Sequence, residues 1–554
     1  MPIKSTYKDV HIPNVDLWTF LFERQDRKFP DHKVILIDPD TSREYTYDQV
    51  RRTAQVFGRN IKAIWDWKLG DVLAVYSPNY IDIPSIIWGT LWAGGVLSPA
   101  NPNYTHDELV FQLRDSGAKA LITQKSCLGV AQKACQEVGI DSSRIILIGD
   151  EKDSSTQFKH FHDFLGLQPT KNVTRTVVNP KKDLAFLVYS SGTTGRPKGV
   201  MLSHSNIVSD VLMAHTVEED KLHWNGGYKE EGDKTVGFLP FFHIYGLLCI
   251  VHHSTYLGLS MVVIQKFDFE KFCAIIQNYR ITYANIVPPV VLLLAKSPVV
   301  SRYDLSSLRM LNSGAAPLTR ELVEALYARI KVPVKQGYGL SETSPVTHLQ
   351  PWEKWHSTIG SVGSLLPNLT AKYVSEDGKE MPVGQTGELW VKGPNIFLGY
   401  INNEEATRNA MTEDGYFKTG DVGYQDEFGN FYITDRSKEL IKYKGFQVAP
   451  AELEGLLVTH PNVEDAAVIG IQDNNLATEL PRAYVVLRRG VEPNGEAEKI
   501  KDWLKGKVAN HKQLRGGVKF VKEIPKTNSG KILRRVLKEQ AKAELLQVQR
   551  QSKL

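Results

Sequence analysis

The chain has 554 residues, 42% of them hydrophobic and 23% charged, a balance that suits two or more globular domains with large cores and excludes a disordered or fibrous chain. A formal net charge of +5 is too small at this length to argue for a nucleic-acid partner, although a local basic patch could hold an anionic nucleotide or coenzyme. Cys127, Cys135, Cys249 and Cys273 show no paired metal spacing and read as reduced thiols of an intracellular protein.

No continuous apolar core runs through Met1 to Asp16, so no signal peptide is expected. No membrane span is expected either: the most apolar interior runs, Ile83 to Leu97 and Ile286 to Ala295, are broken by Pro84, Gly89, Gly94 and Gly95 or are too short. From Asp71 the pattern alternates between short β-branched runs and helical periods. Val72–Tyr76, Lys119–Thr123 and Arg144–Ile148 read as strands, Ile81–Ala93 and Cys127–Val138 as helices. Thr105 and Glu108 make a capping box for a helix running to Asp115. After a strand at Leu184–Tyr189 the alternation resumes through Thr235–Leu239, Ser260–Ile264, Phe269–Tyr279 and Thr282–Ile286. Alternation of this kind predicts an α/β fold of mostly parallel, helix-covered sheets. Glu218–Asp233, polar and glycine-paired, reads as a solvated loop.

Beyond Gly360 shorter strands with glycine turns, such as Gly387–Lys392 and Gly429–Thr434, predict a small β-rich subdomain. From Lys438 a compact α+β piece follows, with helices at Ala451–Val458 and Ile500–Asn510 and strands at Val463–Ile471 and Ala483–Leu487. The division is expected near Asp435 to Lys438: a large N-terminal domain 1–435, a connecting segment 436–438 and a small C-terminal domain 439–554.

The stretch Val188 to Gly199 is the one most specialised for a ligand. Its strand empties into glycines and hydroxyl residues: Ser190, Ser191, Gly192, Thr193, Thr194, Gly195 and then Lys198. So little side-chain bulk lets backbone amides approach a polyphosphate, with hydroxyl donors and one full positive charge added. It is not a Walker loop, since Gly199 and Val200 follow Lys198.

This stretch resembles the signature of adenylate-forming enzymes, which include acyl-CoA synthetases, 4-coumarate:CoA ligases, luciferases and peptide-synthetase adenylation domains. Companion motifs follow in order. Gly337-Tyr338-Gly339-Leu340-Ser341-Glu342-Thr343 resembles the second nucleotide motif; the resemblance implies Tyr338 on adenine, Ser341 at the α-phosphate and Glu342 on Mg2+. Asp421, in Tyr416–Asp421, takes the place of the ribose clamp, and Arg436 and Lys438 those of a ribose contact and a hinge pivot. Lys442 to Gln447 resembles the 4-coumarate:CoA ligase branch especially closely, implying that Lys442 and Gln447 assist the reaction while Lys444 and Gly445 contact coenzyme A. Pro525 to Lys531 matches a mobile loop that delivers an adenylating lysine, Lys531. By the same resemblance His243 gates the acyl carboxylate, Tyr245, Ser313, Gly314, Gly337, Pro345 and Val346 line the acyl pocket with it, and Lys266 contacts coenzyme A.

A carboxylate is a poor acyl donor until ATP converts it to a mixed anhydride, and these motifs supply a triphosphate site, a magnesium site, a ribose clamp and a neutralising cation. The expected activity is therefore an ATP-dependent ligase joining a small carboxylic acid to coenzyme A. The acid is an aromatic one, cinnamate- or phenylacetate-like, or a medium-chain acid; a fatty-acyl-CoA synthetase, a luciferase-like oxygenase and a non-catalytic nucleotide-binding relative are the alternatives. Ser552-Lys553-Leu554 matches the tripeptide that the peroxisomal import receptor reads, so a peroxisomal location is expected.

Overall fold

In the computed structural model the described residues are all but 1, 151, 153–156, 170, 191–196, 437, 444–445, 474–477, 528–529 and 552–554, with the side chains of 545–551 also left aside. Two large helix-covered sheets form the N-terminal part. The first has eight strands, with Val72–Tyr76 between Val96–Ala100 and Ala118–Gln124, all parallel, and Ile145–Ile148 beyond. On its other side Val96–Ala100 runs parallel to Leu184–Ser190, and Lys198–Ser203 turns back antiparallel against that strand. The second sheet has nine strands, parallel through Val334–Gly339, Met310–Ser313, Tyr283–Ile286, Lys234–Gly237 and Ser260–Val263, and antiparallel at both ends.

Helix Ile83–Trp92, the run broken by Pro84 and Gly89, is buried throughout and begins with Pro84 in its first turn, where no amide partner is lost. It crosses helix Tyr47–Trp65 closely: a Cβ at Gly89 would lie 2.5 Å from the Ala54 carbonyl oxygen, and one at Gly58 2.6 Å from that of Gly89. The capping box at Thr105 starts helix His106–Ser116, which Gly117 ends with a positive φ of 66°. Among the described residues no helix is long and apolar enough to cross a membrane.

The β-rich subdomain is a five-stranded antiparallel sheet whose last two strands are Phe417–Gln425 and Phe431–Arg436. After Arg436 the chain builds separate sheets: a hairpin, Ile441–Tyr443 with Phe446–Val448, and a three-stranded sheet of Val463–Asp473, Thr478–Leu487 and Val518–Phe520. Helices Pro450–Leu457, Glu496–Lys505 and Arg534–Gln551 accompany them, and the smaller C-terminal domain has its own core around Val448, Leu453, Val468 and Ile500. The helix read over Ile500–Asn510 starts earlier, at Glu496, and ends at Lys505.

Glu218–Asp233 departs from the solvated-loop reading at both ends. Glu218 is buried and accepts hydrogen bonds from the Lys335 ammonium at 2.5 Å, the Trp352 indole at 2.5 Å and the Tyr283 hydroxyl at 3.2 Å. Asp233 is buried between Arg309 at 2.8 Å and the Thr282 hydroxyl at 2.6 Å. Both anchor the turn to the nine-stranded sheet, where an unpaired carboxylate would be costly.

Candidate active site

Strand ends from three sheets and a loop of the C-terminal domain meet in one cleft. Leu184–Ser190 ends in Ser190, Val334–Gly339 ends in Gly337-Tyr338-Gly339, and Phe417–Gln425 presents Asp421 at the same place. This is where a doubly wound sheet binds ligands, outside the carboxyl ends of its strands. Of the predicted phosphate cradle, Ser190 and Lys198 face each other across the hairpin as cross-strand partners; Ser191, Gly192, Thr193, Thr194 and Gly195 lie outside the described residues.

The Ser190 hydroxyl donates to Glu342 Oε1 at 3.2 Å, and the Tyr400 hydroxyl donates to the same oxygen at 2.9 Å. The Lys198 ammonium lies 4.9 Å from the centre of the Tyr400 ring. Tyr400 thus joins the lysine of the cradle to the carboxylate of the second motif, and no sequence pattern singled it out. Glu342 is buried, on a turn, Ser341–Thr343, that begins beside Ser341 at the cleft. Among the described residues no three ligating side chains gather into a complete metal cage. A single carboxylate suits magnesium, which keeps waters and draws ligands from substrate phosphates, and Glu342 Oε2 accepts from neither Ser190 nor Tyr400.

Asp421 and Arg436 are register partners on adjacent strands, with Arg436 Nε 3.3 Å from Asp421 Oδ1. Tyr338 donates its hydroxyl to Asp421 Oδ2 at 2.6 Å. Burial pushes the Asp421 carboxyl up, while Arg436, the Tyr338 hydroxyl and Lys531 hold it down. Each carboxylate oxygen keeps a second lone pair, so the pair of oxygens can still accept two further hydroxyl protons.

Lys531 reaches this group from the C-terminal domain. Burial, then repulsion from Arg436, pulls its ammonium down to about 8, against attraction from Glu439 and Asp421. Burial pulls His243 down to about 4, and the Lys531 charge adds to that shift, so the imidazole is neutral near pH 7. The loop before Lys531 rests on the N-terminal domain: a Cβ on Gly530 would sit 3.0 Å from Pro289 Cγ.

Behind His243 the Tyr245 ring is buried, its amide accepted by His243 Nδ1 at 3.3 Å and its hydroxyl donated to the Asn312 carbonyl at 2.9 Å. A Cβ on Gly314 would lie 3.2 Å from this ring, and one on Gly337 3.1 Å from Leu349 Cδ1. Both glycines let a neighbouring side chain pack directly against backbone. Gly339 has no room for a Cβ, which would meet the Pro345 carbonyl carbon at 2.6 Å; Ser344–Pro345 is a cis peptide. Ser313 Oγ and Asn312 Oδ1 are buried with no hydrogen-bond partner, which leaves polar atoms for a ligand beside Tyr245 and Val346.

Two groups of expected residues are elsewhere, and a third is not described. Lys442 Nζ lies 3.7 Å from Glu376 and Gln447 donates to the same carboxylate at 3.3 Å, both at the surface on the β-rich subdomain. Lys266 and Lys438 are exposed. Lys444 and Gly445 lie outside the described residues.

Residues from motifs spread along the chain, Ser190, Glu342, Tyr338, Asp421, Arg436 and Lys531, thus meet in one place, the arrangement of an AMP-forming acid–CoA ligase. The sequence matches the AMP-binding enzyme family over residues 22–401 and the AMP-binding enzyme C-terminal domain over 452–531, and the chain belongs to this family. It is 40% identical over 548 residues to probable 4-coumarate–CoA ligase 2 of Dictyostelium discoideum, 97% of each chain, and 37% identical to 4-coumarate–CoA ligase 1 of Petroselinum crispum, covering 97% of this chain and 96% of that one. Among solved structures it resembles the anthranilate CoA ligase AuaEII in complex with anthranoyl-AMP, with a TM-score of 0.86, 25% identity and coverage of 97% and 99%. ATP-bound MatB from Rhodopseudomonas palustris superposes with a TM-score of 0.83 at 28% identity, covering 95% and 99%.

Proposed function

We propose that the enzyme activates an aromatic carboxylic acid, of the cinnamate or phenylacetate kind, and transfers its acyl group to coenzyme A. The observation that carries this reading is the Tyr245 ring packed directly on the bare backbone of Gly314, beside the unpartnered polar atoms Ser313 Oγ and Asn312 Oδ1: an aromatic surface with hydrogen-bonding groups next to it. Relatives named as 4-coumarate–CoA ligases, at 36–40% identity, and a structural neighbour holding anthranoyl-AMP support it.

In the first half-reaction a carboxylate oxygen attacks the α-phosphorus and pyrophosphate leaves with the bond electrons. Lys531 balances the charge on the reacting oxygens, neutral His243, whose Nδ1 accepts from the Tyr245 amide, offers its Nε2–H as a donor without adding charge, and Asp421 holds the ribose. Magnesium, bound at Glu342, would screen the phosphates. In the second, the thiol of coenzyme A attacks the acyl carbon and AMP leaves. Lys442 and Gln447 sit beside Glu376 at the surface, outside the cleft, so they take part only after the C-terminal domain turns about Lys438. Where Ser552-Lys553-Leu554 stands at a free C-terminus, the proposal includes delivery to peroxisomes.

The test is a competition: purified enzyme with ATP, magnesium, coenzyme A and an equimolar mixture of cinnamic, phenylacetic, hexanoic and decanoic acids, with the thioesters resolved by mass spectrometry. Aromatic thioesters should dominate the early products. Preferential hexanoyl- or decanoyl-CoA would overturn the aromatic reading.

A further inference from the structure

The C-terminal domain also meets the N-terminal domain through a helix that contributes none of the reacting groups. Helix Pro450–Leu457 packs on the start of helix Arg320–Ile330 in the N-terminal domain, and the two meet at Gly455 and Thr319. A Cβ on Gly455 would fall inside the envelope of Thr319 Cγ2, with Thr319 Cβ at 3.0 Å and Oγ1 at 3.4 Å. Glycine inside a helix is less favourable than alanine, and the core-facing residues of this helix are Leu453 and Leu457. Its own domain therefore gains nothing from glycine here. The Thr319 hydroxyl neither caps its helix nor finds another partner, and turning the side chain about its Cα–Cβ bond leaves Thr319 Cβ at 3.0 Å from the added methyl.

Other contacts close at the same seating. The Lys296 ammonium donates to the Val458 carbonyl at the end of the helix, and Asp435 Oδ2 accepts from the Ala451 amide at 3.2 Å. Gly530 meets Pro289, and Lys531 one residue on acts on His243 and Asp421. The approach at Gly455 and the placement of Lys531 occur together in this structure, within one domain.

We propose that Gly455 is a positioning residue for acyl-adenylate formation: by letting helix Pro450–Leu457 close onto Thr319, it brings Lys531 into the cleft. It plays no such part in thioester formation, which rests on the reading above that the domain turns away for that step. A methyl group at 455 holds the domain off and withdraws Lys531 from the reacting oxygens without disturbing the fold of either domain.

The experiment compares wild type, Gly455→Ala and Gly455→Ala/Thr319→Ala. Single-turnover pyrophosphate release from ATP and an accepted acid reads the first step, and thioester formation from supplied acyl-adenylate and coenzyme A reads the second. Hydrogen–deuterium exchange over residues 288–296 with ATP bound reads the seating directly. Gly455→Ala should slow the first step about ten- to hundredfold, the range of a small overpacking penalty, leave the second within about twofold, and lose ATP-dependent protection at 288–296. Removing Thr319 Cγ2 should restore most of the rate and the protection. Equal loss in both steps, no loss in the first, or no rescue by Thr319→Ala would overturn the proposal. If the wild type forms no adenylate from any acid, the proposed function fails, while the exchange comparison still decides the role of Gly455.

Discussion

Rising pH should reach the adenylating step through Lys531. Burial and the neighbouring Arg436 lower its ammonium from 10.5 to about 8, despite Glu439 and Asp421. A lysine with that value is about 90% protonated at pH 7 and about 10% at pH 9. If the ammonium form stabilises the charge built up on the reacting oxygens, pyrophosphate release at subsaturating ATP should fall about tenfold across that interval. His243, held down at about 4, stays neutral throughout and adds no limb of its own there. The control is Lys531→Arg, whose guanidinium does not titrate in this range: its absolute rate falls because its reach differs, but the alkaline limb disappears. Stopped-flow pyrophosphate detection from pH 6 to 10 gives both profiles. A wild-type rate flat to pH 10, or an unchanged limb in Lys531→Arg, would refute the assignment of the limb to Lys531.

Asp421→Asn keeps the shape but loses the charge facing Arg436 and the ribose, so the KM for ATP should rise about 10- to 100-fold with a smaller change in kcat, read from initial rates. Gly314→Ala places a methyl group 3.2 Å from the Tyr245 ring, and should reduce kcat/KM for aromatic acids more than for hexanoic acid, measured by the same thioester assay. Lys335→Met strands the buried Glu218 carboxylate and should cost about 3–5 kcal/mol in denaturant unfolding, while Lys335→Met/Glu218→Gln recovers part of it; equal stabilities would show that the pair is not the anchor it is described as.

The parts of the fold that could be read from sequence are those whose signals are local. The capping box at Thr105 and Glu108, the strand Val72–Tyr76 and the helix Phe269–Tyr279 follow from spacing within a dozen residues. Glu218 and Asp233 could not be read this way: their partners Lys335 and Arg309 are distant in sequence, so charges in a polar segment looked solvated. Tyr400 is invisible for the same reason, since its role exists only where strand Gly399–Tyr400 pairs with Lys198–Ser203 and Glu342 comes up beside it. At the site, Ser190, Glu342, Asp421, Arg436, Lys531 and His243 converge as motif order implied. Lys442 and Gln447 share a motif with the site but not its location, because a motif specifies what residues can do and a domain's position decides when they do it.

The central claim is that the acid is activated as an acyl-adenylate in this cleft. It is tested most directly by giving the enzyme an acid labelled with 18O in both carboxylate oxygens, with ATP and coenzyme A, and weighing the products. Attack by the carboxylate on the α-phosphorus predicts one 18O in AMP, one in the thioester and none in pyrophosphate. Label in ADP, phosphate or pyrophosphate, or unlabelled AMP accompanying thioester formation, would contradict the account.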